Sequence, residues 1–172
     1  MAPKTRPAGY RIEPLGTSHD RAAFCCGVPE LDAYLQRQAS QDLKRNLAAA
    51  FVLTSDSKAV AGFYTFSAHS IQAAELPQDL ARKLPRFPLP VTLLGRMAVA
   101  QALQGQGWGE FLLLHALERA LRGSQQVASW AVVVDAKAGA REFYLKHDFI
   151  PSATQSNRLF LPMKTIEKMF EA

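Results

Sequence analysis

Near the start of the chain apolar and polar residues alternate, with Tyr10 and Ile12 set against Arg11 and Glu13, which predicts a strand over 10–15. A short helix is expected over 18–24. From Pro29 the period changes. Leu31, Tyr34, Leu35, Ala39 and Leu43 recur at the three-and-four spacing of an amphipathic helix with proline in its first turn, and Arg37, Lys44 and Arg45 fall on its polar face. Two runs rich in Phe, Tyr and Val, 48–54 and 60–68, flank the turn-like Ser55-Asp56-Ser57-Lys58 and predict a hairpin. A short helix over 76–84 then precedes a strand over 91–99, whose apolar character, broken at Gly95 and Arg96, implies burial on both faces. Residues 108–122 set Leu113, Ala116, Leu117, Ala120 and Leu121 on one side of a helix and His115, Glu118, Arg119 and Arg122 on the other. A buried strand over 129–135, a helix over 139–147 and a strand over 158–163, with 149–153 as its pairing candidate, complete an α/β (α+β) order.

Composition narrows the class. The 172 residues are 48% apolar and 20% charged, as expected of one globular domain spanning 1–172. Cys25 and Cys26 are adjacent and leave no loop for a disulfide to close, which points to a reducing compartment. The opening residues lack an apolar signal-like core and nowhere do about 18 apolar residues run together, so the expected location is the cytoplasm, not a membrane. A net charge of +5 permits contact with a polyanion, although a solvated surface with a few extra cations reads equally well. Four scattered histidines and two cysteines without ligand spacing predict no metal site.

The chemistry concentrates after the buried strand over 91–99, in Gln104-Gly105-Gln106-Gly107-Trp108-Gly109. The long helix starts inside this run, so backbone N–H groups face outward at a positive helix end, a geometry that binds phosphate. Glycines let a pyrophosphate touch the backbone and tolerate positive φ. A flexible glycine turn is the plainer alternative. No Lys-Ser or Lys-Thr follows, which excludes a P-loop, and a nicotinamide site wants its glycines after the first strand of a βαβ unit.

The pattern Gln-x-x-Gly-x-Gly at a strand-to-helix junction resembles the acyl-CoA signature of the GNAT acetyltransferases. A second match lies downstream, where Asp135-Ala136-Lys137, Ala140, Phe143-Tyr144 and Lys146-His147-Asp148-Phe149 are similar to another helix of that superfamily. Asp148 stands where glycine is usual, and Asp tolerates the left-handed conformation of a helix end better than most residues. The resemblance implies a single GNAT fold, a mixed twisted sheet of six to seven strands flanked by about four helices, with acetyl-CoA as co-substrate. It further implies that Gln104, Gly105, Gln106, Gly107, Trp108 and Gly109 cradle the pyrophosphate. The preceding strand would splay from its neighbour, leaving backbone groups of Met97, Ala98 and Val99 for the acetyl carbonyl and pantetheine arm. Tyr144, protonated at neutral pH with a reference pKa near 10, is the candidate general acid for a departing thiolate. A core tyrosine packed with Ala140 and Phe143 is the alternative role.

A narrower likeness covers nearly the whole chain through Phe24, Cys26-Gly27, Leu31-Asp32, Tyr34-Leu35, Leu94-Gly95-Arg96-Met97-Ala98-Val99 and the run from Leu159 to Ile166. These resemble the TacT/AtaT-like GNAT toxins of bacterial type II toxin–antitoxin pairs. That resemblance implies acetylation of the α-amino group of aminoacyl-tRNA, arrest of translation, a ribbon-helix-helix antitoxin as partner, and scope for a homodimer. Lys44, Arg45, Arg82, Lys83 and Arg86 are candidates for tRNA backbone contact, although each alone also reads as solvated surface. Arg96, in an apolar strand, is either paired structurally or aimed at substrate phosphate. Two other functions stay open at this point: an acetyltransferase for a small-molecule or protein amine, and a non-catalytic CoA-binding or interaction module.

Overall fold

The computed structural model describes residues 9–171. Its strands are β1 (Arg11–Pro14), β2 (Ala49–Thr54), β3 (Gly62–Ile71), β4 (Leu89–Val99), β5 (Ala131–Asp135), β6 (Ile150–Pro151) and β7 (Arg158–Pro162). They form one sheet in the order β1-β2-β3-β4-β5-β7-β6. Pairing is antiparallel for β1–β2, β2–β3, β5–β7 and β6–β7 and parallel for β4–β5, so the sheet is mixed as expected. The helices are α1 (Pro29–Ala33), α2 (Ala39–Lys44), α3 (Gln78–Ala81), α4 (Trp108–Ser124), α5 (Arg141–Lys146) and α6 (Met163–Phe170). Contacts divide the described residues into two units, 9–67 with 95–116 and 68–94 with 117–171.

In the first unit Phe24, Tyr34, Leu35, Val52 and Phe63 form a core, with Phe24 edge-on to Phe63 at 5.5 Å between ring centres. The helix expected over 18–24 is absent, and hydrogen bonding explains why. The Asp20 N–H donates to Lys58 O at 2.7 Å and Asp20 bridges to Ala59, which draws the segment out along the hairpin. Gly16 N–H donates to His19 Nδ1, so the ring's other nitrogen carries the proton and donates to Glu13 Oε1 at 2.7 Å. The long helix from Pro29 is present, but a π-turn, Tyr34–Gln38, separates α1 from α2.

In the second unit Ile71, Leu76, Leu89, Val91, Ala131, Val133 and Phe160 pack together. The β5 sequence AVVVD is buried throughout its four apolar positions, as a strand covered on both faces must be. The helix expected over 76–84 is reduced to the single turn of α3, which begins after Pro77, and a separate 3-10 turn, Ala73–Glu75, precedes it. A reciprocal capping box between Gln72 and Glu75 fixes the first of these turns. The sequence reading ended with a strand and missed α6, whose buried Met163 and Ile166 recur with Phe170 at helical spacing.

Candidate active site

The segment leading into α4 is braced from behind. The Gln104 side-chain amide donates to Cys26 O at 2.7 Å and to Val99 O at 2.9 Å, joining three stretches of backbone. Gln101 N–H donates to Cys25 O and Ala100 N–H to Ala61 O, both at 2.8 Å. Gly105 and Gly107 sit at φ of +79° and +89°, the left-handed region expected of them. A Cβ on Gly105 would meet nothing within 4 Å, so conformation and not space requires glycine there. Among the described residues the N–H groups of Gly105, Gln106, Gly107, Trp108 and Gly109 donate to no backbone carbonyl, and the first bond of the helix end runs from Phe111 N–H to Gly107 O. Trp108 is buried, its ring 4.6 Å from that of Tyr10 and 5.7 Å from that of Phe111, and it anchors the helix start. An array of outward N–H groups on a rigid, glycine-permitted turn fits a pyrophosphate, and the helix dipole adds to it.

Just upstream, the parallel register of β4 with β5 runs from Thr92↔Val132 to Leu94↔Val134, whereas β4 itself continues to Val99. Met97, Ala98 and Val99 therefore lie in the part of the strand past that register. Ala98 is buried and Met97 and Val99 are half-buried.

Tyr144 lies on α5 in the second unit. Its ring is only 8% exposed, packed edge-on against Phe143 at 5.2 Å and Phe149 at 5.3 Å. Burial pushes its phenol up to about 12, so it is protonated throughout the neutral range. The core-tyrosine alternative explains the ring but not the hydroxyl. No described residue hydrogen-bonds to that oxygen, yet no described side-chain oxygen is both sealed from solvent and unpartnered. The hydroxyl therefore ends at an accessible edge. Asp148 ends α5 with φ of +70°, the left-handed conformation anticipated for it.

The basic candidates separate. Lys44, Arg45 and Arg96 fall in the first unit and Arg82, Lys83 and Arg86 in the second. Lys44, Arg45, Arg82, Lys83 and Arg86 are exposed. Arg96 sits over the Tyr34 ring, its guanidinium carbon 3.6 Å from the ring centre. The Tyr34 hydroxyl donates to Asp42 Oδ2 at 2.9 Å, while Gln38 donates to Oδ1 at the same distance. These hydrogen bonds, from Gln38 first, together with the charge of Arg96, hold the Asp42 carboxyl below its usual range. Arg96 thus has a structural partner, and its guanidinium edge is held in a fixed direction.

Residues 46–151 match the model of the acetyltransferase (GNAT) domain. This chain belongs to the GNAT acetyltransferases. The matched stretch includes both the glycine turn and Tyr144. This GNAT chain is 31% identical to a probable toxin TacT of Sinorhizobium fredii over 92% of its length and 93% of the relative's. It is 34% identical to a tRNA-acetylating toxin of Mycobacterium tuberculosis, covering 87% of this chain and 90% of that one. Among solved structures, AtaT complexed with acetyl-methionyl-tRNAfMet superposes with a TM-score of 0.87 at 31% identity, covering 94% of this chain and 99% of AtaT. A tyrosine-to-phenylalanine mutant of the AtaT toxin, bound to the C-terminus of the antitoxin AtaR and acetyl-CoA, gives 0.83 at 28% identity, covering 95% and 99%.

Other features of this GNAT chain were not legible from sequence. The brace formed by Gln104 carries no sequence signature beyond the cofactor loop, and neither do its acceptor, the Cys26 carbonyl, or the Cys25 carbonyl that accepts from Gln101 N–H. Cys25 is exposed, while burial pushes the Cys26 thiol up to about 11. Among the described residues no group of His, Cys, Asp and Glu could hold a metal, and no helix is long and apolar enough to cross a membrane.

Proposed function

We propose that this GNAT chain acts as a single catalytic domain over 1–172, a cytoplasmic toxin that acetylates the free α-amino group of an aminoacyl-tRNA and so blocks translation. The observation that carries this reading is the 34% identity to a tRNA-acetylating toxin across 87% of the chain, which takes in the glycine turn and Tyr144 together. Acetyl-CoA is the donor, and bound, it supplies the acetyl group as a thioester. The N–H groups of Gly105, Gln106, Gly107, Trp108 and Gly109 hold its pyrophosphate, with Gln104 keeping the turn in shape. Backbone groups of Met97, Ala98 and Val99 receive the pantetheine arm and polarise the acetyl carbonyl.

An α-amino group titrates near 7.7–8.0, against about 10.4 for lysine, so a useful fraction is neutral without a dedicated base. The amine nitrogen forms the new C–N bond as the C–S bond breaks. The Tyr144 hydroxyl gives its proton to the departing thiolate and is restored by the proton the amine releases. Lys44, Arg45, Arg82, Lys83, Arg86 and Arg96 contact the RNA backbone. A ribbon-helix-helix antitoxin holds the enzyme inactive, and the fold leaves scope for a homodimer.

The test is translation in vitro with labelled acetyl-CoA. Label in charged tRNA that is absent from deacylated tRNA supports the reading. Translation that continues unlabelled, with acetyl transfer to a small amine or a protein lysine instead, overturns it.

A further inference from the structure

The connector between β3 and β4 has features that neither the catalytic chemistry nor the core explains. Along one flank lies a cleft of about 510 Å³, its apolar wall made by Ala73, Ala74, Ala81 and Leu84 and its edge by Arg82 and Arg86. That volume falls within the range of small-molecule sites and accommodates one nucleotide. Immediately beyond it Phe87 is 66% exposed, in a protein whose other large aromatics are mostly covered. Phe87 stands between Pro85 and Pro88, so proline fixes the backbone on both sides and the residue before Pro88 is confined to extended conformations. Half-buried Leu84 and buried Leu89 pin the loop to the protein body on either side.

Its surroundings are cationic. Arg82, Lys83 and Arg86 are exposed, and none makes a side-chain hydrogen bond or ion pair with a described residue. The base of the connector is rigid. Glu75 accepts from Arg158 at 3.1 Å, and its backbone carbonyl accepts from Ala153 N–H at 2.8 Å and from the Ser152 hydroxyl at 3.0 Å. An acidic protein segment would satisfy the cations, but it gives no reason for a solvent-facing aromatic ring on a proline-restrained backbone beside the cleft. Unpaired nucleotides combine a phosphate for each cation with a flat base for the ring.

We infer that the Arg82–Phe87 segment is a stacking platform for single-stranded RNA, with Phe87 stacking on one unpaired base and Arg82 and Arg86 holding phosphates at the cleft. This deepens the aminoacyl-tRNA reading and rests on it for the identity of the strand, the unpaired 3′ end of the substrate.

Two measurements separate its failure from failure of that reading. The first is anisotropy of a fluorescent single-stranded RNA ending in CCA, titrated with the whole protein. Phe87→Ala should weaken binding by about 5- to 100-fold, Phe87→Leu should not restore it, and Phe87→Tyr should. The second is steady-state acetylation of aminoacyl-tRNA, where Phe87→Ala should raise KM by a similar factor with kcat changed by less than about twofold, because stacking holds ground and transition states alike. With the ring this exposed, all three variants should melt as the parent does. Unchanged RNA affinity in Phe87→Ala overturns the platform even where wild type acetylates tRNA. Loss of antitoxin binding with RNA affinity and KM intact makes the segment a protein-docking surface and overturns it too. Wild type that binds the oligonucleotide through Phe87 but labels no charged tRNA leaves the platform standing and removes only the proposed substrate.

Discussion

Arg158 holds both carboxylate oxygens of Asp135, its Nε 2.7 Å from Oδ1 and its Nη2 2.9 Å from Oδ2. The remaining arm of the same guanidinium reaches Glu75, so one side chain on β7 joins the end of β5 to the start of the β3–β4 connector.

Replacing Arg158 with Met should lower stability by about 1–3 kcal/mol, because Glu75 keeps a largely covered carboxylate without its partner. Arg158→Lys should recover only part of this, since an ammonium cannot form the planar fork. Denaturant unfolding gives the answer, and a Lys variant as stable as the parent would contradict the role of the fork.

Tyr144→Phe should lower the transfer rate by roughly 10²–10⁴-fold, the usual worth of a positioned general acid. Only an oxygen at an accessible edge is removed, so the melting curve and acetyl-CoA affinity by calorimetry should stay near wild type. Undiminished turnover would return Tyr144 to a purely packing role.

Alkaline titration should expose two of the buried phenols, Tyr34 and Tyr144. Tyr34 and Tyr144 are each pushed up to about 12, above the ordinary phenol range, chiefly by burial, with the Asp42 hydrogen bond adding to it at Tyr34. Above about pH 10 the unfolded chain loses these protons while the folded chain keeps them. Stability is therefore independent of the two groups below that pH and falls as pH rises through the window from 10 to 12. Phenolate absorbance that develops in full before unfolding would refute the assignment.

The turn ahead of α4 should be sensitive at two positions for different reasons. Gly105→Ala imposes a left-handed conformation on a residue with a Cβ, at a cost of about 1–2 kcal/mol. Gln104→Leu removes the donor to Cys26 O and Val99 O. Each should weaken acetyl-CoA about tenfold, as a loss of roughly 1.4 kcal/mol would. Calorimetry showing wild-type affinity in both variants would mean that the turn does not bind the cofactor.

Native alkylation at pH 8 should modify one cysteine. Cys25 is exposed, whereas Cys26 is buried with a thiol pushed up to about 11 and holds little thiolate at that pH. Mass spectrometry should find one adduct on the folded protein, on Cys25, and two after denaturation.

Sequence periodicity captured the sheet and α4 because their apolar positions recur regularly and are buried where they recur. Glycine spacing captured the turn at 104–109, and Asp148 was placed in its left-handed conformation before its angle was known. What escaped depends on distant partners. Asp20 is drawn to Lys58 and Ala59 by hydrogen bonds that no local propensity encodes, so 18–24 was read as a helix. Within 76–84 only Gln78–Ala81 is helical, starting at its N-cap Pro77, a start signal that the sequence carried. At the site, Tyr144 and the glycines carry recognisable patterns, but the cation–π shelf between Arg96 and Tyr34 joins residues far apart in the chain and leaves no periodic trace.

The turn at Tyr34–Gln38 has a further implication. Its wider winding accommodates an extra amino acid in a helix that would otherwise be regular, so α1 and α2 are out of phase with each other. Tyr34 meets Asp42 across this offset. Rewinding the turn into a regular helix with every residue kept would swing each later side chain by roughly 100° around the axis and carry Asp42 away from the phenol it receives. The shelf beneath Arg96 is thus set by an irregularity in backbone count, and a helix one residue shorter would reach the same arrangement with regular winding.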